Sequence, residues 1–305
     1  MASHEHHNHS HDHAPADFGR AFVIGTALNV TFVIVEVVFG LLSNSTALLA
    51  DAGHNVSDIL GLLVSWVAAV LAKRPPTATY TYGLRSSSIL AALFNAMFLL
   101  VAVGAIGWEA VQRLSNPQPV ASTTVMVVAG IGILVNGGTA LMFMSGRKGD
   151  INIEGAFLHM AADAMVSAGV VIAALAILLT GWQWLDAAAS LAICVVILWS
   201  TWGLLRKSTR MSLAAVPESI DPAAVRDFLS KQPGVSEIHD LHIWAMSTTT
   251  TALTCHLVMP SGHPGDEFLQ HVTAALEHRF QIHHSTLQIE VSELTACRLA
   301  PDSVV

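Results

Sequence analysis

The sequence predicts an α-helical membrane protein, six transmembrane helices followed by a C-terminal cytoplasmic α+β domain, and three observations carry that prediction. The 305 residues are 53% hydrophobic and only 12% charged, whereas a soluble domain carries about 25% charged residues. Six apolar stretches, at 21–42, 46–72, 88–111, 122–144, 154–180 and 185–205, each come near the ~20 residues that a helix needs to cross ~30 Å of hydrocarbon. Past about Met211 the chain changes character, to mixed sequence in which apolar and polar residues alternate over short stretches.

Each break between the apolar stretches carries turn chemistry: Ser43-Asn44-Ser45, Pro75-Pro76, Asn116-Pro117 with Pro119, Gly146 with Gly149, and Gly181. Basic residues set the orientation, because cytoplasmic loops are enriched in Lys and Arg. One side holds Arg20, Lys73, Arg74, Arg85, Arg147, Lys148, Arg206, Lys207 and Arg210, and the other only Arg113. That bias places both termini in the cytoplasm, as an even number of spans requires. Beyond Pro217, the Asp221-Pro222 pair and residues 223–231 predict a capped amphipathic helix. Strands follow at 235–246 and 249–259, a helix at 266–280 and a third strand at 285–291. A module of about 90 residues is small for a solitary core and workable as a dimer.

The N-terminus lacks the charged, apolar and cleavage regions of a signal peptide. It holds His4, His6, His7, His9, His11 and His13, interleaved with Glu, Asn, Ser and Asp. An expression tag is normally an unbroken run, so the interleaving favours a native tail that collects metal loosely. Cys194, Cys255 and Cys297 form no CxxC pair, which leaves neither a disulfide framework nor a thiolate zinc motif. The net charge of −8 says little, because sign matters by region in such a chain, and no nucleic-acid partner is expected.

Two residue pairs carry the chemistry: His54 with Asp58 in the second span, and His159 with Asp163 in the fifth. Ionisable side chains in hydrocarbon are costly and mark a cavity, a partner or a ligand. A spacing of four puts each pair on one helix face. At 1.5 Å per residue the first pair lies ~12 and ~18 Å into its span and the second ~9 and ~15 Å. Both pairs therefore fall near the bilayer midplane on antiparallel helices. Two imidazoles and two carboxylates form a four-coordinate set for a divalent transition metal, and zinc fits it best. Their charge of about −2 cancels a divalent cation in a low-dielectric setting. An emptied site should take up protons, and metal binding should expel them. Isolated helix–helix hydrogen bonds would not explain two repeated pairs at matching depth. Asp51 shares the stripe of His54 and lies nearer the outer boundary, where it lines an exit path or bonds a neighbouring helix. Asn29, Glu36 and Asn95 are read as packing or pathway residues.

The stretch GLLSNSTALLADAGHNVSD, the HMAAD pair, and HDLHIW followed by CHL and LQIE together resemble the cation diffusion facilitator family of metal transporters. The resemblance runs from about Arg20 to Glu290 and is strongest to the zinc-associated branch with a His-Asp/His-Asp membrane site. It implies a homodimer of six-span protomers with a cytoplasmic ferredoxin-like α+β domain. It implies that the chain is no enzyme but a secondary transporter, and the compact chain with its short loops points to a bacterial inner membrane. The expected activity is export of Zn2+, with Cd2+ and Co2+ as further candidates, in exchange for protons by alternating access. The domains are then a His-rich tail at 1–19, a transmembrane domain at 20–208, a metal-binding dimerisation domain at 209–298 and a short tail at 299–305.

His54, Asp58, His159 and Asp163 fall on the family's transport-site positions. His239, His256 and Glu290 match its cytoplasmic ligand positions, and His283 matches a His seen in close relatives, so zinc is expected there as a regulatory or structural ion. His242 is read as structural. Cys255 should face away from His256 on a regular strand, and Cys297 is either an accessory ligand or inert. The loop between spans two and three, KRPPTATYTYGLRSSS, lacks the His and Asp of an additional site found in some members. Ser86-Ser87-Ser88 stands where many relatives have Arg-Ala-Glu, and Asp186-Ala187 replaces a frequent Asp-Pro. An intramembrane zinc enzyme is the competing reading, but catalytic zinc keeps an open position and no HExxH motif occurs in a span. A metal sensor would not need a midplane site.

Overall fold

The computed structural model describes residues 18–144, 151–291 and 297–299. The His-rich tail lies outside these residues. Six long helices come first: α1 Phe18–Leu42, α2 Thr46–Ala72, α3 Ser87–Ser115, α4 Ser122–Phe143, α5 Ile151–Thr180 and α6 Trp184–Ser212. Helices α2 to α6 each hold a stretch long and apolar enough to cross a bilayer, and α1 adds a shorter apolar run, Ala27–Leu42. Large apolar side chains such as Leu134, Ile172, Leu179 and Trp199 stand exposed on them, as lipid-facing residues would. One helix clearly outruns its apolar stretch: α6 continues through Ser212, well past the hydrophobic limit at 205. Basic Arg206, Lys207 and Arg210 sustain a helix without being apolar, while the Ser208 and Ser212 hydroxyls donate back to Leu204 and Ser208 carbonyls.

The chain folds as two compact units, one joining residues up to 56 with 102–196, the other joining 57–101 with 197 onward. In the first unit α4 packs against α5 and α1. Gly132 makes that approach feasible, since a Cβ there would lie 2.6 Å from Phe32 and 2.9 Å from the Ser167 hydroxyl. The α1–α2 turn is fixed from outside. Asn44 takes the left-handed conformation at φ 55°, and the Arg113 guanidinium donates to its carbonyl at 2.6 Å and to its Oδ1 at 2.8 Å. Asp186, buried in the first turn of α6, accepts from the Thr46 amide at 2.7 Å, the Thr46 hydroxyl at 2.8 Å and the Ser45 hydroxyl. Its carboxylate thus serves the unpaired amides at the start of α2.

In the second unit α7 Pro222–Ser230, β1 Glu237–Ala245, β2 Thr251–Val258, α8 Asp266–Phe280 and β3 His284–Glu290 form the α+β module. Asp221 caps α7 by accepting from the Ala223 amide at 2.9 Å, with Pro222 at the first helical position. The sheet order is β1-β2-β3, with β2 antiparallel to β1 and parallel to β3. Leu253, Cys255 and Leu257 of β2 bury against Val225 and Leu229 of α7 and Val272 and Leu276 of α8. The loop before α3 and the first turn of that helix dock on the same module. Ser86 donates to the Met246 carbonyl at 3.2 Å, the Thr248 amide donates to Ser88 at 3.1 Å, and Tyr82 meets the His284 ring edge-on at 5.5 Å.

Candidate metal centres

The transmembrane candidate is built on two helices. His54 sits in the first half of α2, where Gly53 leaves room beside Ile106, and His159 and Asp163 sit one turn apart in the first half of α5. Asp163 is buried at 2% side-chain exposure, with His54 Nε2 3.7 Å from its Oδ1 and His159 Nε2 3.6 Å from its Oδ2. The two imidazoles meet edge-on, with ring centroids 6.2 Å apart. Such separations are long for direct hydrogen bonds. They are close to the ~3.3 Å between donors that share a tetrahedral zinc at ~2.0–2.1 Å. Asp58 lies four residues after His54 on the same continuous helix α2, and so on the same face.

Two carboxylates that the sequence reading left as packing or pathway residues lie close by. Asp51 accepts from the Ser167 hydroxyl at 2.9 Å, and Glu36 accepts from the Asn55 amide at 3.1 Å. Both are fully buried. The bond from Ser167 on α5 to Asp51 on α2 ties these two helices together.

The cytoplasmic candidate is built on the sheet. His239 of β1 faces His256 of β2 across the ladder, and Glu290 closes β3 beside them. Glu290 Oε2 is 3.3 Å from His239 Nε2, and Oε1 is 3.0 Å from His256 Nδ1. Cys297 Sγ lies 3.7 Å from the same Nδ1. The ligand atoms of His239, His256, Glu290 and Cys297 all fall within 4.8 Å of one another. A zinc ion bound at ~2.0–2.1 Å to nitrogen and oxygen and ~2.3 Å to sulfur would separate its donors by similar distances. His239 is 4% exposed, and neither ring nitrogen makes a hydrogen bond of good geometry among the described residues. A buried imidazole left in that state fits a metal ligand.

Asp240 joins this cluster, and the sequence reading missed it. The β1–β2 register slips by one residue between His239 and His242, a β-bulge, and Asp240 takes φ 52° there. The bulge turns Asp240 toward the cluster, so its Oδ2 lies 3.3 Å from His256 Nε2 and its Oδ1 2.8 Å from His242 Nε2. Sequence spacing gave no sign of it, since His239 and His242, three apart, fall on opposite faces of a regular strand. His242 therefore pairs with Asp240 and stays outside the ligand group. His283 also lies apart. It is seven residues from Glu290, at the other end of β3, where its Nδ1 accepts from the Thr251 amide at 3.4 Å.

Electrostatics sorts the remaining groups. Burial pushes the Cys255 thiol up to about 12, against a smaller opposing pull from Arg226. It stays protonated on the core face, opposite His256. Burial would also raise the Glu290 carboxyl, but the Cys297 thiol, His239, Gln288 and His256 together outweigh it and hold the carboxyl below the usual carboxylate range. The Leu299 amide favours the Cys297 thiolate. Burial and the Glu290 carboxylate outweigh that amide and keep the thiol above its usual range. Only the thiolate would ligate a metal.

Comparisons with known proteins match both parts of the chain. Residues 22–211 match the cation efflux transmembrane domain, and residues 217–292 match the cation efflux protein cytoplasmic domain. The chain is 38% identical over 291 residues to the cation efflux system protein CzcD of Alcaligenes sp. (strain CT14), covering 95% of this chain and 90% of that protein. It is 34% identical to the cadmium, cobalt and zinc/H(+)-K(+) antiporter of Bacillus subtilis (89% and 88% covered). It is 35% identical to the zinc transporter ZitB of Escherichia coli K12 (93% and 91% covered).

Proposed function

The chain belongs to the cation diffusion facilitator, or cation efflux, family, and from that membership we propose that it exports Zn2+ from the cytoplasm in exchange for protons. The observation that carries this reading is Asp163, held on α5 between the imidazoles of His54 and His159 at 3.7 and 3.6 Å. Asp58, one turn along α2 from His54, completes a set of two imidazoles and two carboxylates. Such a set holds a divalent ion without net charge and must be freed of protons to do so. Alternating access around it would load metal from one side and protons from the other. Zinc is the proposed substrate, with cadmium and cobalt as further cargo, because the ligand types do not separate these ions sharply.

The cytoplasmic cluster of His239, His256 and Glu290, with Cys297, is proposed as a zinc site of regulatory or structural role. When bound, zinc would tie β1, β2 and β3 to the segment at Cys297. Asp240 would fix the His256 ring so that Nδ1 faces the cluster. The working form is a homodimer in the bacterial inner membrane, with both termini cytoplasmic. The 1–19, 20–208, 209–298 and 299–305 division of the chain belongs to the same reading.

The test is zinc uptake into proteoliposomes by the intact protein and by Asp163→Ala, His159→Ala and Asp58→Ala. The reading expects uptake to fall to the protein-free background in each variant while folding is retained. Undiminished uptake in Asp163→Ala would overturn it.

A further inference from the structure

Glu36 and Asp51 are both fully buried and come from different helices, α1 and α2. Their carboxyl groups lie within hydrogen-bond reach of each other. Each is held on one side only, Glu36 Oε2 by Asn55 and Asp51 Oδ2 by Ser167. Glu36 Oε1 and Asp51 Oδ1 are buried with no donor among the described residues. Two carboxylates offer no hydrogen between them. An ionised pair in contact would also place two like charges together without water. One shared proton removes both problems, giving the facing oxygens a donor and the pair a single charge.

The pair stands one helical turn from the transport residues on two helices at once. Asp51 precedes His54 by three residues on α2, and Ser167, which holds Asp51, follows Asp163 by four on α5. The spacings are rises of about 4.5 and about 6 Å. The groups around it are few. On α1 there is Asn29, bonded toward Met160, on α2 His54 and Asn55, and on α5 His159, Asp163 and Ser167. From α4 come the buried polar residues Asn136 and Thr139, and no ionisable side chain. The nearest charges able to act on the pair are therefore the transport site's own.

Resting on the proposed exchange of metal for protons at that site, we infer that Glu36 and Asp51 form a proton-binding dyad, and that its shared proton leaves when metal loads and returns when metal leaves. The balance is one proton released to solvent and one further negative charge left on the dyad, which the divalent cation one helical turn away attracts. Linkage makes the effect reciprocal: a protonated dyad weakens metal binding by the factor by which bound metal weakens the proton.

The test counts protons released per zinc by calorimetry of the full chain in buffers of different ionisation enthalpy. The signal of the transport site is the part that His159→Ala removes. Glu36→Gln and, separately, Asp51→Asn supply the missing hydrogen permanently, and should lower that count by about one proton per zinc. Glu36→Asp, which keeps the acid, should keep the wild-type count. Two variants reach the same end from opposite partners, so either decides the matter if the other does not fold. An unchanged count in a folded Gln or Asn variant would overturn the dyad and leave the transport site standing. If His159→Ala removes no zinc binding at all, the transport-site reading fails instead.

Discussion

Asp240 sets its Oδ2 3.3 Å from Nε2 of His256, leaving Nδ1 of the same ring 3.0 Å from Glu290. The contact exists only because a bulge in β1 gives Asp240 a left-handed backbone. A carboxylate on the far nitrogen of a ligating imidazole fixes its tautomer and raises its basicity. Asp240→Ala should therefore weaken zinc binding at the cytoplasmic cluster by about 10–100-fold, measured by competition with a zinc chelator. Affinity equal to that of the wild type would remove Asp240 from the site.

Asp186 is the anchor for the start of α2. Replacing it by Ala strands the Thr46 amide and the hydroxyls of Ser45 and Thr46, all of which it now accepts from. The expected cost is about 2 kcal/mol, read as a lower unfolding temperature in detergent. Asp186→Asn, which keeps one acceptor oxygen, should lose less. A thermal midpoint unmoved by the Ala change would mean that the contact contributes nothing.

Glu290 gives a pH dependence with a definite sign. Its folded-state carboxyl is held below the ordinary range, so it adds stability that is fully present above the unfolded value of about 4.3. That contribution disappears as pH falls through the lowered value. In metal-free protein, the stability gap between wild type and Glu290→Gln should stay level from neutral pH to about pH 5 and close below it. A gap that widens on acidification would contradict this.

Ser86, in the loop before α3, and Ser88, in its first turn, hold that end of the helix to the β1–β2 turn through Met246 and Thr248. Each bond to an exposed or half-exposed partner is worth about 1 kcal/mol or less. Ser86→Ala with Ser88→Ala should leave the fold intact and speed hydrogen exchange at the Thr248 amide. Unaltered exchange there would show that the loop is held by other contacts.

Much of this was legible in the chain. Helix lengths, the His54/Asp58 and His159/Asp163 spacings, and the order of α7, β1, β2, α8 and β3 all follow from periodicity and turn residues. Asp240 was not legible, because alternation on a strand assumes no bulge, and only the pairing with β2 reveals one. His283 entered the cytoplasmic group on the family resemblance, whereas within this chain a strand carries the seven residues from it to Glu290 over about 23 Å. Glu36 and Asp51 could be seen as buried acids, yet their contact joins two helices and no spacing along either encodes it. The end of α6 was not legible either: hydropathy marks the hydrocarbon boundary near residue 205, whereas the helix runs on to Ser212.

The central claim is that metal and protons move in opposite directions through the site around Asp163. Its most direct measurement is zinc content inside proteoliposomes that hold equal zinc on both faces and carry an imposed pH gradient. Net zinc movement against its own concentration, toward the acidic compartment, is expected, abolished by a protonophore and by Asp163→Ala. Zinc that stays level on both sides while the gradient persists would contradict it.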